Sequence, residues 1–137
     1  DAFSRSQYLT VMPDRHVEEA AERILMCTGK IGHALRAERE RRGDTRTAIL
    51  SIEQLYPFPK QALAAELDRL SQARDLRWVQ EEPGNMGALF FVEPHIEPLA
   101  RGRHLRTIKR SASASPATGS AKAHQMEENT LIKLAYN

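Results

Sequence analysis

Short apolar runs closed by turn residues alternate along this chain with segments whose apolar positions recur every three or four residues, and that alternation constrains the fold most. Ile24-Leu25-Met26-Cys27 is a continuous apolar run ended by Thr28-Gly29, the pattern of a buried strand entering a tight turn. Ile31, Ala34, Leu35 and Ala37 then mark a helical face up to Gly43-Asp44, which breaks it. Thr47 to Glu53 repeats the strand with Ala48, Ile49, Leu50 and Ile52, and Leu63, Leu67 and Leu70 draw one helical stripe between Pro59 and Ser71. A third strand is expected over Leu76 to Gln80, with a break at Glu81-Glu82-Pro83-Gly84. The apolar segment from Met86 to Leu99 predicts a helix that ends or kinks near Val92, because Pro94 and Pro98 lack backbone donors. Leu105 to Arg110 alternates weakly and suits an edge strand. A loop, SASASPATGSA, leads to a last helix from Lys122 to Tyr136, expected to turn Met126, Leu131 and Leu134 inward.

Strands alternating with helices imply parallel crossovers, so the expected fold is α/β, a three-layer sandwich around a mainly parallel sheet of four or five strands. With 137 residues the chain has the size of one folded unit, and 41% hydrophobic and 28% charged residues match a globular domain. No stretch approaches the roughly 18 apolar residues of a membrane helix, so no membrane is expected. Asp1 to Arg15 has no sustained period and contains Pro13; residues 1–16 are expected to be a linker from an upstream domain and 17–137 the α/β domain, after a short helical pattern around Glu18 to Glu22. The first residue is Asp1, which suggests a segment cut from a longer chain.

The single cysteine, Cys27, excludes an intrachain disulfide and sits inside an apolar run, where it is expected to be a small buried hydrophobe. The five histidines show no pair at the helical spacing of metal ligands, and no metal site is expected. The net charge of +2 hides a segregation: 13 basic and 16 acidic residues precede position 101, while 7 basic and 2 acidic follow. Arg101 to Met126 has no carboxylate, which favours an anionic partner or an acidic protein surface. No aromatic residues interleave with those basic ones, so nucleic acid is not expected.

The candidate anion or interface residues follow from this. Lys30, in Thr28-Gly29-Lys30, stands where helix-start amides can hold a carboxylate or phosphate, although a plain structural turn is the favoured reading. Glu82 follows a strand at its carboxyl end, where one of the Glu81/Glu82 pair is expected to cap a turn and the other to face a partner domain. Arg110, Ser115, Thr118, Gly119, Lys122 and His124 surround the Ser/Ala loop, read equally as a capped helix entry or as an anion cradle. No catalytic, cofactor-binding or metal-binding residue is assigned from the residues themselves.

Four segments in order, ILMCTGKI from Ile24, IEQLYPFP from Ile52, WVQEEPGNMGAL from Trp78 and ASPATGSAKAHQMEE from Ala114, resemble the C-terminal domain of the thiamine-diphosphate-dependent decarboxylating component of 2-oxoglutarate dehydrogenase. Arg110 falls where that family places an arginine before its Ala/Ser loop, with Lys109 in place of the usual glycine. The resemblance implies a transketolase-type C-terminal domain, the last of three, in a homodimer whose thiamine diphosphate and magnesium lie between the upstream domains. It further implies that the full enzyme decarboxylates 2-oxoglutarate and passes succinyl to the lipoyl group of a succinyltransferase component, in a bacterial cytoplasm or mitochondrial matrix. This domain would then buttress assembly, with Glu81 to Gly87 and Ser111 to Ser120 facing the neighbouring domain. The alternative is a stand-alone module of the same fold that binds an anion, nucleotide or coenzyme A derivative.

Overall fold

The computed structural model describes residues 11–12, 20–53, 57–83, 88–110 and 121–137. In chain order these form β1 (Val11–Met12), β2 (Arg23–Cys27), α1 (Ile31–Arg42), β3 (Thr47–Ile52), α2 (Lys60–Arg69), β4 (Asp75–Pro83), α3 (Leu89–Ile96) continued by a 3-10 turn (Glu97–Ala100), β5 (Leu105–Arg110) and α4 (Ala121–Tyr136). The strands make one five-stranded sheet in the order β1-β3-β2-β4-β5. β2, β3, β4 and β5 are parallel, in register through Ile24↔Ala48, Ile24↔Leu76 and Leu76↔Leu105, and only β1 runs antiparallel.

The period of two along each strand sends alternate apolar residues to opposite faces, and each face meets its own helices. Ile24, Met26, Ala48, Leu50, Leu76, Trp78 and Leu105 pack under α2, α3 and the 3-10 turn through Leu63, Leu67, Val92 and Ile96. Leu25, Cys27, Ile49, Val79 and Ile108 pack under α1 and α4 through Ile31, Leu35, Leu131, Ile132 and Tyr136. The expected three-layer α/β sandwich is therefore the observed one, and β5 lies at an edge as its weak alternation implied.

Several local expectations give way to packing. Val11 and Met12, in the stretch read as a connector, pair with Ile52 and Ser51 of β3. The pattern around Glu18 to Glu22 falls partly outside the described residues, and Ala21 and Glu22 form a bend leading into β2 rather than a helix. β4 does not break at Glu81-Glu82 but runs to Pro83, because β5 continues to pair alongside it as far as Arg110, with an irregularity between Val79 and Pro83. α3 passes through Pro94 to Ile96: Pro94 lies on the exposed side, while Val92 and Ile96 anchor the buried side. In α4 the buried stripe is Leu131, Ile132, Ala135 and Tyr136, and the expected inward residues Met126 and Leu134 are 62% and 46% exposed. The helix is rotated by the demand of Tyr136, whose hydroxyl donates to the Leu35 carbonyl of α1 at 2.7 Å.

Candidate functional site

The chain order fixes where such a sheet displays groups. α1 carries the chain from β2 to β3, and α2 then brings it back across β2 to β4, so the two crossovers leave in opposite directions on opposite faces. The carboxyl ends of β2 and β4 therefore flank the switch point, the position where open parallel sheets bind ligands and neighbours. Thr28-Gly29-Lys30 leaves β2 there, and Gly29 takes φ +80°, which a side chain would strain. Lys30 is exposed at the N-cap of α1, whose first turn carries no acidic residue, so the partial positive charge of the helix start is uncompensated locally.

β4 supplies the other wall. A hydrogen-bond chain runs along the strand from Trp78: its indole N–H donates to Gln80 Oε1 at 2.8 Å, and Gln80 Nε2 donates to the Glu82 backbone carbonyl at 3.0 Å. The buried amide thus ties the exposed end of the strand to the core. Glu82 is exposed within β4, and the turn that one of the two glutamates is expected to cap lies outside the described residues.

A second polar group lies between β2, β3 and α1. Arg36 donates to Ser51 Oγ at 2.9 Å, and Cys27 Sγ lies 3.8 Å from the same hydroxyl. Gly32 makes room for it, since a β-carbon there would stand 2.9 Å from Ser51 Oγ and 3.3 Å from Cys27 Sγ. Burial pushes the Cys27 thiol up to about 11, against smaller lowering effects of Ser51 and Arg36. That agrees with the reading of Cys27 as a buried hydrophobe and leaves it protonated and unreactive. Sequence reasoning missed Arg36 and Ser51; the available signal was Gly32, a poor helix former in the first turn of a helix.

The other candidates are placed only partly. Arg110 ends β5 beside Pro83, at the same carboxyl edge as Lys30 and Glu82. Ser115, Thr118 and Gly119 lie outside the described residues. Lys122 and His124 belong to the first turn of α4. That helix ends at the opposite, amino edge of the sheet, where Arg77 of β4 donates to the carbonyls of Leu134, Ala135 and Asn137 and Arg23 of β2 to that of Tyr136. Its start therefore lies on the carboxyl side. The structure brings Lys30, Glu82, Arg110 and the α4 start to one edge of the sheet.

This edge can attract anionic groups and hold a neighbour. Among the described residues no three His, Cys, Asp or Glu side chains converge as metal ligands. The cleft of about 370 Å³ at the amino edge is a seam rather than a second cradle. Asp44 there accepts from the Arg46 amide at 2.7 Å and from the Thr47 hydroxyl at 2.8 Å, and Glu22 pairs with Arg46 at 3.5 Å. Among the described residues no helix is long and apolar enough to cross a membrane.

The comparisons with known proteins point one way. A 2-oxoglutarate dehydrogenase E1 component of Cupriavidus necator is 39% identical over 137 residues, covering 98% of this chain and 14% of that protein. The corresponding protein of Brucella anthropi is 44% identical over 107 residues, covering 74% of this chain and 11% of its own length. The chain thus spans between 11% and 14% of the length of these curated relatives. Among solved structures, one described as "Split gene transketolase, inactive beta4 tetramer" superposes with a TM-score of 0.55 at 11% identity, over 86% of this chain and 40% of that one, and shows the same fold. The family model described as 2-oxoglutarate dehydrogenase C-terminal matches residues 1–136, and the chain belongs to that family.

Proposed function

We propose that this chain is the assembly domain of a 2-oxoglutarate dehydrogenase whose complete polypeptide decarboxylates 2-oxoglutarate and transfers succinyl to the lipoyl group of a succinyltransferase component. The family match along residues 1–136 carries this reading, and it does not favour a stand-alone anion-binding module. Thiamine diphosphate, held with magnesium in the upstream domains of a homodimer, would supply the electron sink for decarboxylation. This domain's own part is positional. Its parallel sheet would hold the carboxyl edge, with Lys30, Glu82, Arg110, Lys122 and His124, against the neighbouring domain, in a bacterial cytoplasm or a mitochondrial matrix.

The test uses the full-length protein. Removing the present segment is expected to abolish thiamine-dependent decarboxylation of 2-oxoglutarate and to shift the dimer towards monomer in light scattering. Co-expression of the segment as a separate chain should restore part of both. A truncated enzyme that remains dimeric and fully active would overturn the reading.

A further inference from the structure

β5 is a six-residue edge strand, longer than the two-residue β1 at the opposite edge, and among the described residues it pairs on one side only, with β4. The backbone N–H and C=O groups of every second β5 residue thus face outward. The side chains show the same incompleteness: inward residues of the central strands, such as Leu25, Ile49 and Val79, are 0% exposed, while Leu105 and Ile108 retain 7% and 8%.

Two exposed residues of this strand are basic. Arg106 and Lys109 are both exposed, and among the described residues neither side chain has a hydrogen-bond or ion-pair partner. Asp75, the carboxylate in whose field Arg106 lies, already accepts from Arg77 Nε at 3.0 Å and Nη2 at 2.9 Å. By contrast, two nearby arginines have partners: Arg103 is buried beneath α2, and Arg101 pairs with Asp68 at 2.7 Å. Part of the basic excess noted in the sequence therefore stands, among the described residues, unpaired on the two faces of one edge strand.

We propose that the outer edge of β5 is a docking strand for an acidic extended segment of a partner polypeptide, which adds to the sheet as a sixth strand. Main-chain hydrogen bonds would supply the pairing, and Arg106 and Lys109, on opposite faces of β5, would select carboxylates on both faces of the incoming strand. Basic side chains on an edge also deter unwanted pairing. The experiment separates the two roles.

The full-length protein is mixed with a synthetic peptide of alternating glutamate and valine, or with its lysine–valine counterpart, and hydrogen exchange is read by mass spectrometry. The acidic peptide should slow exchange in the segment 104–110 about tenfold. The lysine–valine peptide should not. The slowing should disappear in about 0.5 M salt and in the Arg106→Glu/Lys109→Glu variant, which should instead respond to the lysine–valine peptide. The neutral Arg106→Ser/Lys109→Ser pair should weaken the response without reversing it, and unchanged exchange in β2 and β3 would show that either variant is folded. No slowing at this segment with either peptide, or equal slowing with both, would overturn the proposal and leave an edge guarded by charge.

Discussion

Buried arginines do more of the structural work here than their sequence context announces. Arg103 is 7% exposed and donates to four carbonyls, those of Leu67, Leu70 and Ala73 at the end of α2 and that of Ala100. The Leu70 and Ala100 carbonyls also accept from the amides of Ala73 and Arg103, at 3.0 and 3.1 Å, so the guanidinium adds to a backbone turn at each, and it complements the negative end of the helix dipole. Arg103→Leu should cost on the order of 3 kcal/mol in urea unfolding, and Arg103→Lys should recover only part of it, since one ammonium does not reproduce the planar fork. A loss below about 0.5 kcal/mol would mean that water replaces the side chain. In the sequence Arg103 is one charge in a basic run, and nothing in its spacing marks it as internal. Cys27 was legible, because an apolar run declares its own burial: alkylation of its thiol at mildly alkaline pH should occur only as fast as the domain unfolds, and rapid labelling of the native protein would contradict its burial.

Elements were legible where hydrophobic period and turn chemistry agreed. α1, with its apolar face ended by Gly43, starts and stops where the sequence places it, as does β5. They were illegible where a distant partner decides. β1 has two residues and no period, and exists because β3 offers an edge. Glu81 and Glu82 look like a break, yet stay in β4 because β5 runs alongside. In α4 two stripes compete in the sequence, and the choice is made by what α1 and the sheet present to them: Leu131 and Ile132 are buried, Met126 and Leu134 are not. Leu131→Ala should therefore cost about 2–4 kcal/mol, while Met126→Ala should stay within about 0.5 kcal/mol, both read from chemical denaturation. Equal costs would place Met126 against a surface that the described residues lack. The candidate site was partly readable for a similar reason: a turn after a parallel strand announces Lys30 at the carboxyl edge, whereas the Arg36–Ser51 contact joins the middle of α1 to the end of β3, which only the folded sheet brings together.

Across the whole molecule, the amino edge of the sheet is where the last helix is fastened. Arg77, 2% exposed, and Arg23 hold the final carbonyls of α4, and both guanidiniums are oriented by Asp75, at 2.9 Å from Arg77 and 3.6 Å from Arg23. Burial raises the Asp75 carboxyl, but its hydrogen bonds from Arg77 and the charges of Arg77 and Arg23 more than offset this and hold it below the ordinary carboxylate range. The sign of the pH effect follows. A carboxyl whose value is depressed by folding contributes stability above its unfolded value of about 4, and that contribution is lost as pH falls through this range towards the folded value. The urea midpoints of the wild type and of Asp75→Asn should thus differ most at neutral pH and converge as the pH is lowered to about 3. Other carboxylates, including Glu38 beside Arg41 and Arg42, titrate in both proteins and cancel in the difference. A gap that stays constant with pH would show that Asp75 orients the arginines by shape and not by charge. Convergence accompanied by early loss of protection in α4 would show that one carboxylate, through two arginines, keeps the second core layer closed.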